Sequence, residues 1–294
     1  TEVGEDGTAG MRKDRLTGQS DRFSRHKTAS RYRRSGLHIV KKPPGPTDRT
    51  LGCRYEMKYI ISESKAGAIA RFIEPYLKLD HYSRLRPDGA YPIVSLYLDS
   101  PNLQLCRESL EGHKNRFKLR IRSYTDDPNY PRFFEIKRRV GTIIIKDRAR
   151  VVTPKTALAD LLSPLSLSEQ TYKGYEEILK QFRLYKNTIN AGPVVRVRYS
   201  RRAYESDTEN RVRVTFDRQL AYNVGREANV SLVGPGWQRH SIKNVILEIK
   251  FTGRYPAWLS RMVECFDLHQ QSVSKYATSI KDACLLGFCA PLPR

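Results

Sequence analysis

The stretch Arg116-Phe117-Lys118-Leu119-Arg120-Ile121-Arg122-Ser123-Tyr124 decides the fold. Lys118, Arg120 and Arg122 alternate with Phe117, Leu119 and Ile121. A strand sends successive side chains to opposite faces, so this segment has a cationic face and an apolar face. The grammar recurs along the chain. Arg54, Glu56 and Lys58 alternate with Tyr55, Met57 and Tyr59, Glu135 and Lys137 with Phe134 and Ile136, and Lys146, Arg148 and Arg150 with Ile145, Ala149 and Val151. Arg196 and Arg198 follow against Val195, Val197 and Tyr199, then Arg211 and Arg213 against Val212, Val214 and Phe216, then Glu248 and Lys250 against Leu247, Ile249 and Phe251.

Two cations ~6 Å apart repel by roughly 2–3 kcal/mol at an effective dielectric of about 20, so gathering many on one surface makes sense when a polyanion sits there. Closing the sheet into a barrel with its charged faces inward gives a cation-lined tunnel, and helices then cover the apolar outer faces. The expected fold class is α+β, a closed antiparallel β-barrel of about eight strands with helices on the outside.

The chain has 294 residues and a formal charge of +22. That balance calls for an anionic partner: nucleic acid, a lipid surface or a phosphate-rich small molecule. The five cysteines form no CxxC pair and the six histidines no zinc spacing, which suggests reduced structural thiols and a cytoplasmic protein. No apolar run approaches the ~18 residues that span a bilayer. Any membrane association would be peripheral.

Residues 1–50 are rich in Gly, Ser, Thr and Arg and end in breakers, which predicts a disordered basic arm ahead of a domain over 51–290. Ser62 should cap an amphipathic helix carrying Ala66, Ile69, Phe72 and Ile73. Ser100-Pro101 suggests the start of a short helix ending at Gly112, and helices are expected over 168–185, 256–268 and after Lys275. No glycine-rich phosphate loop is present, so phosphate chemistry must come from side chains.

Arg54-Tyr55-Glu56-Met57-Lys58 has the spacing of the ExExK signature of CYTH-like triphosphate tunnel metalloenzymes, with Arg54 where the first Glu would stand. RYEMKY, SLYLDS, KLRIRSY, FFEIKRR, VRVRYSRRAY, RVTFDRQL, LEIKFTGRYP and SVSKYATSI, in that order over roughly 53–287, resemble the VTC domain, the polyphosphate polymerase module of that superfamily. The resemblance implies a β-tunnel that binds ATP and a divalent metal, Mn²⁺ or Mg²⁺, and moves the γ-phosphoryl group onto a growing polyphosphate chain. It implies that Arg120 and Arg122 hold the triphosphate, with Lys58, Lys137, Lys146, Arg198 and Arg213 completing the ring and Lys250 and Lys275 as further cations. Glu248 leads as metal ligand and Glu56 is second. The departure at Arg54 tilts the reading away from tunnel triphosphatases and class IV cyclases.

Phosphoryl transfer requires charge neutralisation and alignment rather than a protein nucleophile, and none is evident here. Two other readings stand beside the polymerase: a tunnel hydrolase, and a polyanion-binding module without chemistry. Sequence-specific nucleic-acid binding is not expected, because Phe117, Tyr199 and Phe216 alternate with the cations and so should lie on the opposite face from them. A membrane-protein partner is possible for a chain of this family.

Overall fold

The computed structural model describes residues 54–141, 143–152, 162, 174–206 and 211–287, all within a compact unit spanning Asp48–Arg294. The expected arm at 1–50 and the start of the 168–185 helix lie outside them. Ten strands form one antiparallel sheet: β1 (Arg54–Ile61), β2 (Lys78–Leu79), β3 (Tyr91–Asp99), β4 (Asn115–Ser123), β5 (Arg132–Val140), β6 (Ile143–Val151), β7 (Gly192–Glu205), β8 (Val212–Val224), β9 (Gln238–Arg239) and β10 (Val245–Thr252). Eight of them run in the order β1-β10-β8-β7-β3-β4-β5-β6, and the two-residue strands β2 and β9 pair with β7 and β8. The sheet curls on itself. Lys137 on β5 and Glu56 on β1, nearly at opposite ends of that order, meet across the interior at 3.0 Å. Among the described residues no backbone ladder pairs β1 with β6, so side chains bridge the interior where the strand order ends.

Helices cover the apolar outer faces as the alternation requires. On one side α1 (Glu63–Ile73) buries Ala66, Ile69 and Ile73 against Tyr59, Val214, Phe216 and Leu247, and α5 (Ala257–Cys265) adds Leu259 and Met262 to the same cluster. Ser62 caps α1 by accepting from the Lys65 amide, as predicted. On the other side α4 (Glu176–Thr188) packs Leu179 and Phe182 against Leu96, Ile121, Phe134 and Ile136.

The interior is not cationic from end to end. The last helix, α6 (Lys275–Leu285), enters one end of the barrel, where Tyr276, Ala277 and Ile280 pack on Ile93, Val195, Val197, Tyr222 and Ile246. That plug decides the facing of β7. Val195, Val197 and Tyr199 point inward to meet it, which turns Arg196 and Arg198 outward. Tyr276 also donates from its hydroxyl to Asp99, a carboxylate that accepts from the amides of Leu105 and Cys106 at the start of α3 (Gln104–Leu110). One buried carboxylate thus ties plug, strand and helix start together. The expected start at Ser100-Pro101 is displaced, because Leu103 adopts φ 57 and the helix begins at Gln104.

A four-residue helix, α2 (His81–Arg84), lies between β2 and β3. Cys106 and Cys265 are free, whereas Cys284 is disulfide-bonded, so the expectation of reduced thiols fails at that position. Among the described residues no helix is long and apolar enough to cross a membrane.

Candidate triphosphate cavity

A cavity of about 430 Å³ opens inside the barrel beside the N-terminus of α6. Alternation on β1, β4, β5 and β10 delivers its charged lining: Glu56 and Lys58, then Lys118, Arg120 and Arg122, then Lys137, then Glu248 and Lys250. Arg201 from β7 and Lys275 from α6 complete the inner wall, and Arg116, Arg138 and Arg139 stand at one mouth. Eleven Lys or Arg therefore face two carboxylates.

Four carboxylates, of which Glu135, Asp217 and Glu248 are buried, hold the walls together. Glu135, with a fully buried side chain, lies 2.6 Å from Arg120 Nε, 2.7 Å from Lys146 Nζ and 3.1 Å from Arg148 Nε. Asp217 receives two hydrogen bonds from Arg201, at 2.6 and 2.8 Å, and a contact from Lys275 at 2.7 Å. Glu248 lies 3.2 Å from Lys250, 3.4 Å from Arg201 and 3.7 Å from Lys58. Glu56 is shared by Lys58 and Lys137, each at 3.0 Å. Burial alone would raise these acids. Lys250, Lys58 and Lys275 outweigh it at Glu248, and Arg120, Arg122 and Lys146 at Glu135, so both carboxyls sit well below the usual range.

Two lining cations have hydroxyl partners instead. Arg122 donates to Ser95 Oγ at 3.1 Å and Tyr199 Oη at 3.3 Å, and Lys118 donates to Ser274 Oγ at 2.8 Å. Ser274 caps α6 by accepting from the Ala277 amide. Burial, then repulsion from Lys58, Lys137, Arg116 and Arg120, pushes Lys118 down to about 7. Burial pushes Lys250 down to about 8, against the pull of Glu248 and Glu56. These depressed lysines mark where positive charge exceeds what the protein neutralises.

The structure brings seven of the nine predicted cations to the cavity or its walls: Lys58, Arg120, Arg122, Lys137, Lys250 and Lys275 line it, and Lys146 stands behind it on Glu135. Arg198 is elsewhere. It points outward over the Trp237 ring at 4.2 Å and donates to the Leu232 carbonyl, because the plug claims the inner face of β7. Arg213 faces inward but away from the cavity lining, held by Asp80 at 2.6 Å and Glu205 at 2.7 Å. Sequence reasoning missed Lys118 and Arg201 as site residues. The parity of Val195, Val197, Tyr199 and Arg201 carried the signal for Arg201 once the apolar face was assigned inward. Tyr199 and Phe117 also line the cavity, contrary to the expected separation of aromatics from cations.

A divalent metal fits the two carboxylates in this lining. Among the described residues no group of three or more His, Cys, Asp or Glu is present, so the protein offers Glu56 and Glu248 alone. Mg²⁺ and Mn²⁺ commonly take one or two carboxylates and complete their shell with phosphate oxygens and water. Lys58 Nζ already bridges the pair, and a bound cation would compete with it.

The VTC domain family model matches residues 53–283. The chain belongs to the VTC domain family. No curated protein sequence matches this VTC chain. Among solved structures, a putative adenylate cyclase from Bacillus halodurans aligns at 15% identity and TM-score 0.42, covering 76% of this chain and 94% of that one. A putative adenylyl cyclase from Hippeastrum, described with a dominant triphosphatase activity, aligns at 14% and TM-score 0.44, covering 81% and 98%.

Two outcomes are expected of this VTC cavity. Arg120→Ala removes one partner of a buried ion pair and should cost about 3 kcal/mol in urea unfolding, whereas Arg122→Ala removes hydrogen bonds to hydroxyls only and should cost less, about 1 kcal/mol. Equal losses would contradict the division drawn here. The second outcome concerns protons. In the free protein the unfolded state holds the Lys118 proton more tightly than the folded state, so this lysine's cost to stability is relieved as pH rises from about 7 toward 10.5. A polyanion restores the charged form, so tripolyphosphate should bind with proton uptake near pH ~8 and bind more weakly as pH rises. Calorimetry in buffers of different ionisation enthalpy would show this, and Lys118→Met should lower the uptake by its own share, leaving that of Lys250. Unchanged uptake in that variant would remove Lys118 from the linkage.

Proposed function

We propose that this VTC domain is an ATP-dependent polyphosphate polymerase, transferring the γ-phosphoryl group of ATP onto a growing polyphosphate chain inside the cavity. The observation that carries the reading is the lining itself: eleven cations face two carboxylates, with neither His nor Cys among the lining residues. An acceptor phosphate is already an anion and needs no general base, which suits a lining built to neutralise and align. Membership of the VTC family supports the same reaction.

In this mechanism Arg122 and Arg120 present guanidinium forks to neighbouring phosphates. Arg122 is free to do so because its partners are hydroxyls, whereas Arg120 keeps Nε on Glu135 and has its other nitrogens to offer. Lys118 and Lys250 gain protons and Lys58 exchanges its contacts to Glu56 and Glu248 as the anion enters, and their charge neutralises the equatorial oxygens of the transferred group. Arg201 and Lys275, anchored on Asp217, fix the inner wall against which the triphosphate is aligned. When bound at Glu248 and Glu56, Mn²⁺ or Mg²⁺ supplies further charge neutralisation on phosphate oxygens.

Purified protein incubated with γ-labelled ATP, Mn²⁺ and a short polyphosphate primer should give a labelled ladder on a gel, with release of ADP. Orthophosphate as the sole labelled product would make the cavity a hydrolase site, and no turnover would leave a polyanion-binding module. Glu248→Gln should lower turnover by at least tenfold while changing ATP affinity by less. Unchanged turnover would take Glu248 out of the metal role.

A further inference from the structure

Each step of the proposed reaction needs a phosphate end as acceptor, and the first step has none unless one is supplied. The cavity wall holds a protein hydroxyl placed for that step. Tyr97 points inward from β3, opposite Arg120 of β4 in register, and lines the cavity. Its ring stacks on that of Tyr276 in the plug, with 4.8 Å between centroids and 17° between planes, and Tyr276 is itself held by Asp99. The stack fixes where the Tyr97 hydroxyl sits. Its oxygen accepts from Arg120 Nη1 at 3.3 Å, and among the described residues no group accepts its proton. Burial raises this phenol, but Arg120, Arg122 and Lys275 outweigh burial, so Tyr97 ionises below the usual phenol range. Other hydroxyls of the lining are committed elsewhere. Tyr276 gives its proton to Asp99, and Ser274 caps α6 and accepts from Lys118, which gains a proton as the anion enters and so offers that serine no base. At Tyr199, Arg201 and Lys275 lie over the ring face, at 5.4 and 4.9 Å from its centroid.

We propose that Tyr97 is the first acceptor: its phenol oxygen takes the γ-phosphoryl group of ATP, so that a chain can start on the protein itself. The inference rests on the polymerase reading, which puts that phosphoryl group in the cavity. The phenol proton leaves to solvent through the open cavity, and Oη bonds to the γ-phosphorus. The bond from that phosphorus to the β–γ bridging oxygen breaks, and its electron pair leaves with ADP. Arg120 serves both partners, because the guanidinium that donates to Tyr97 Oη also has nitrogens to present to the phosphates. The aryl phosphate formed on Tyr97 places a phosphate end inside the cavity, and that end is the acceptor which the next transfer needs.

The test is to incubate the full chain with γ-labelled ATP and Mn²⁺ in the absence of primer, denature it, and hydrolyse phosphoanhydride bonds with mild acid. Base-stable label should remain on the protein, and peptide mass spectrometry should place it on Tyr97. ATP labelled at the α-phosphate should leave none, and Tyr97→Phe should lose the label. Mapping on the wild-type chain decides the question without the variant, should Tyr97→Phe fail to fold. A wild-type chain that extends an added primer yet carries no base-stable label overturns the inference and leaves the polymerase reading standing. Label on Tyr199, Ser272 or Ser274 in place of Tyr97, or label undiminished in a folded Tyr97→Phe, overturns it equally. Neither label nor a ladder from added primer overturns both.

Discussion

Like-charge repulsion inside a closed volume is the constraint on which the rest of this structure depends. Adjacent cations repel by ~2–3 kcal/mol per pair at protein-like dielectric, and eleven of them border one cavity. The fold survives because Glu56, Glu135, Asp217 and Glu248 are each shared among two or three cations. The sharing leaves a deficit that falls on Lys118, whose partner is a hydroxyl, and leaves Arg122 donating to hydroxyls as well. A site that binds a triphosphate is, on this view, a barrel whose interior acids are too few.

The plug helix makes the deficit usable. By filling one end with Tyr276 and Ile280 it limits the entry of water, and burial makes each remaining charge count for more. Its first residues also carry function. Lys275 reaches Asp217, Ser274 meets Lys118, and Lys58 donates to the Val273 carbonyl, so strands β1, β4 and β8 are all held to the same three residues at the start of the helix.

Much of this was legible in the sequence. Period-two alternation in Arg116–Tyr124 and its counterparts foretold the strands, their antiparallel sheet and the inward charge, because a register slip by one residue would bury the cations outside. The same rule misassigned Arg198. Alternation says that two faces differ but not which one faces in, and on β7 the apolar plug reversed the choice. Arg213 shows a different limit: its inward face was readable, but its neutralisation by Asp80, a residue 133 positions away, was not. Alternation puts Glu135 beside Lys137 on one strand face, yet it serves Arg120, Lys146 and Arg148 while Lys137 goes to Glu56. Register between strands, invisible in one sequence, made that assignment.

The most direct test of the central claim is a thermal melt of the protein with tripolyphosphate, orthophosphate and sulfate at matched ionic strength. If an under-neutralised interior is what binds, tripolyphosphate should raise Tm by several degrees, the other two anions far less, and Arg122→Ala should lose the tripolyphosphate-specific part. Equal shifts with all three anions, or an undiminished shift in Arg122→Ala, would mean that the charge acts at the surface and would contradict a site inside the barrel.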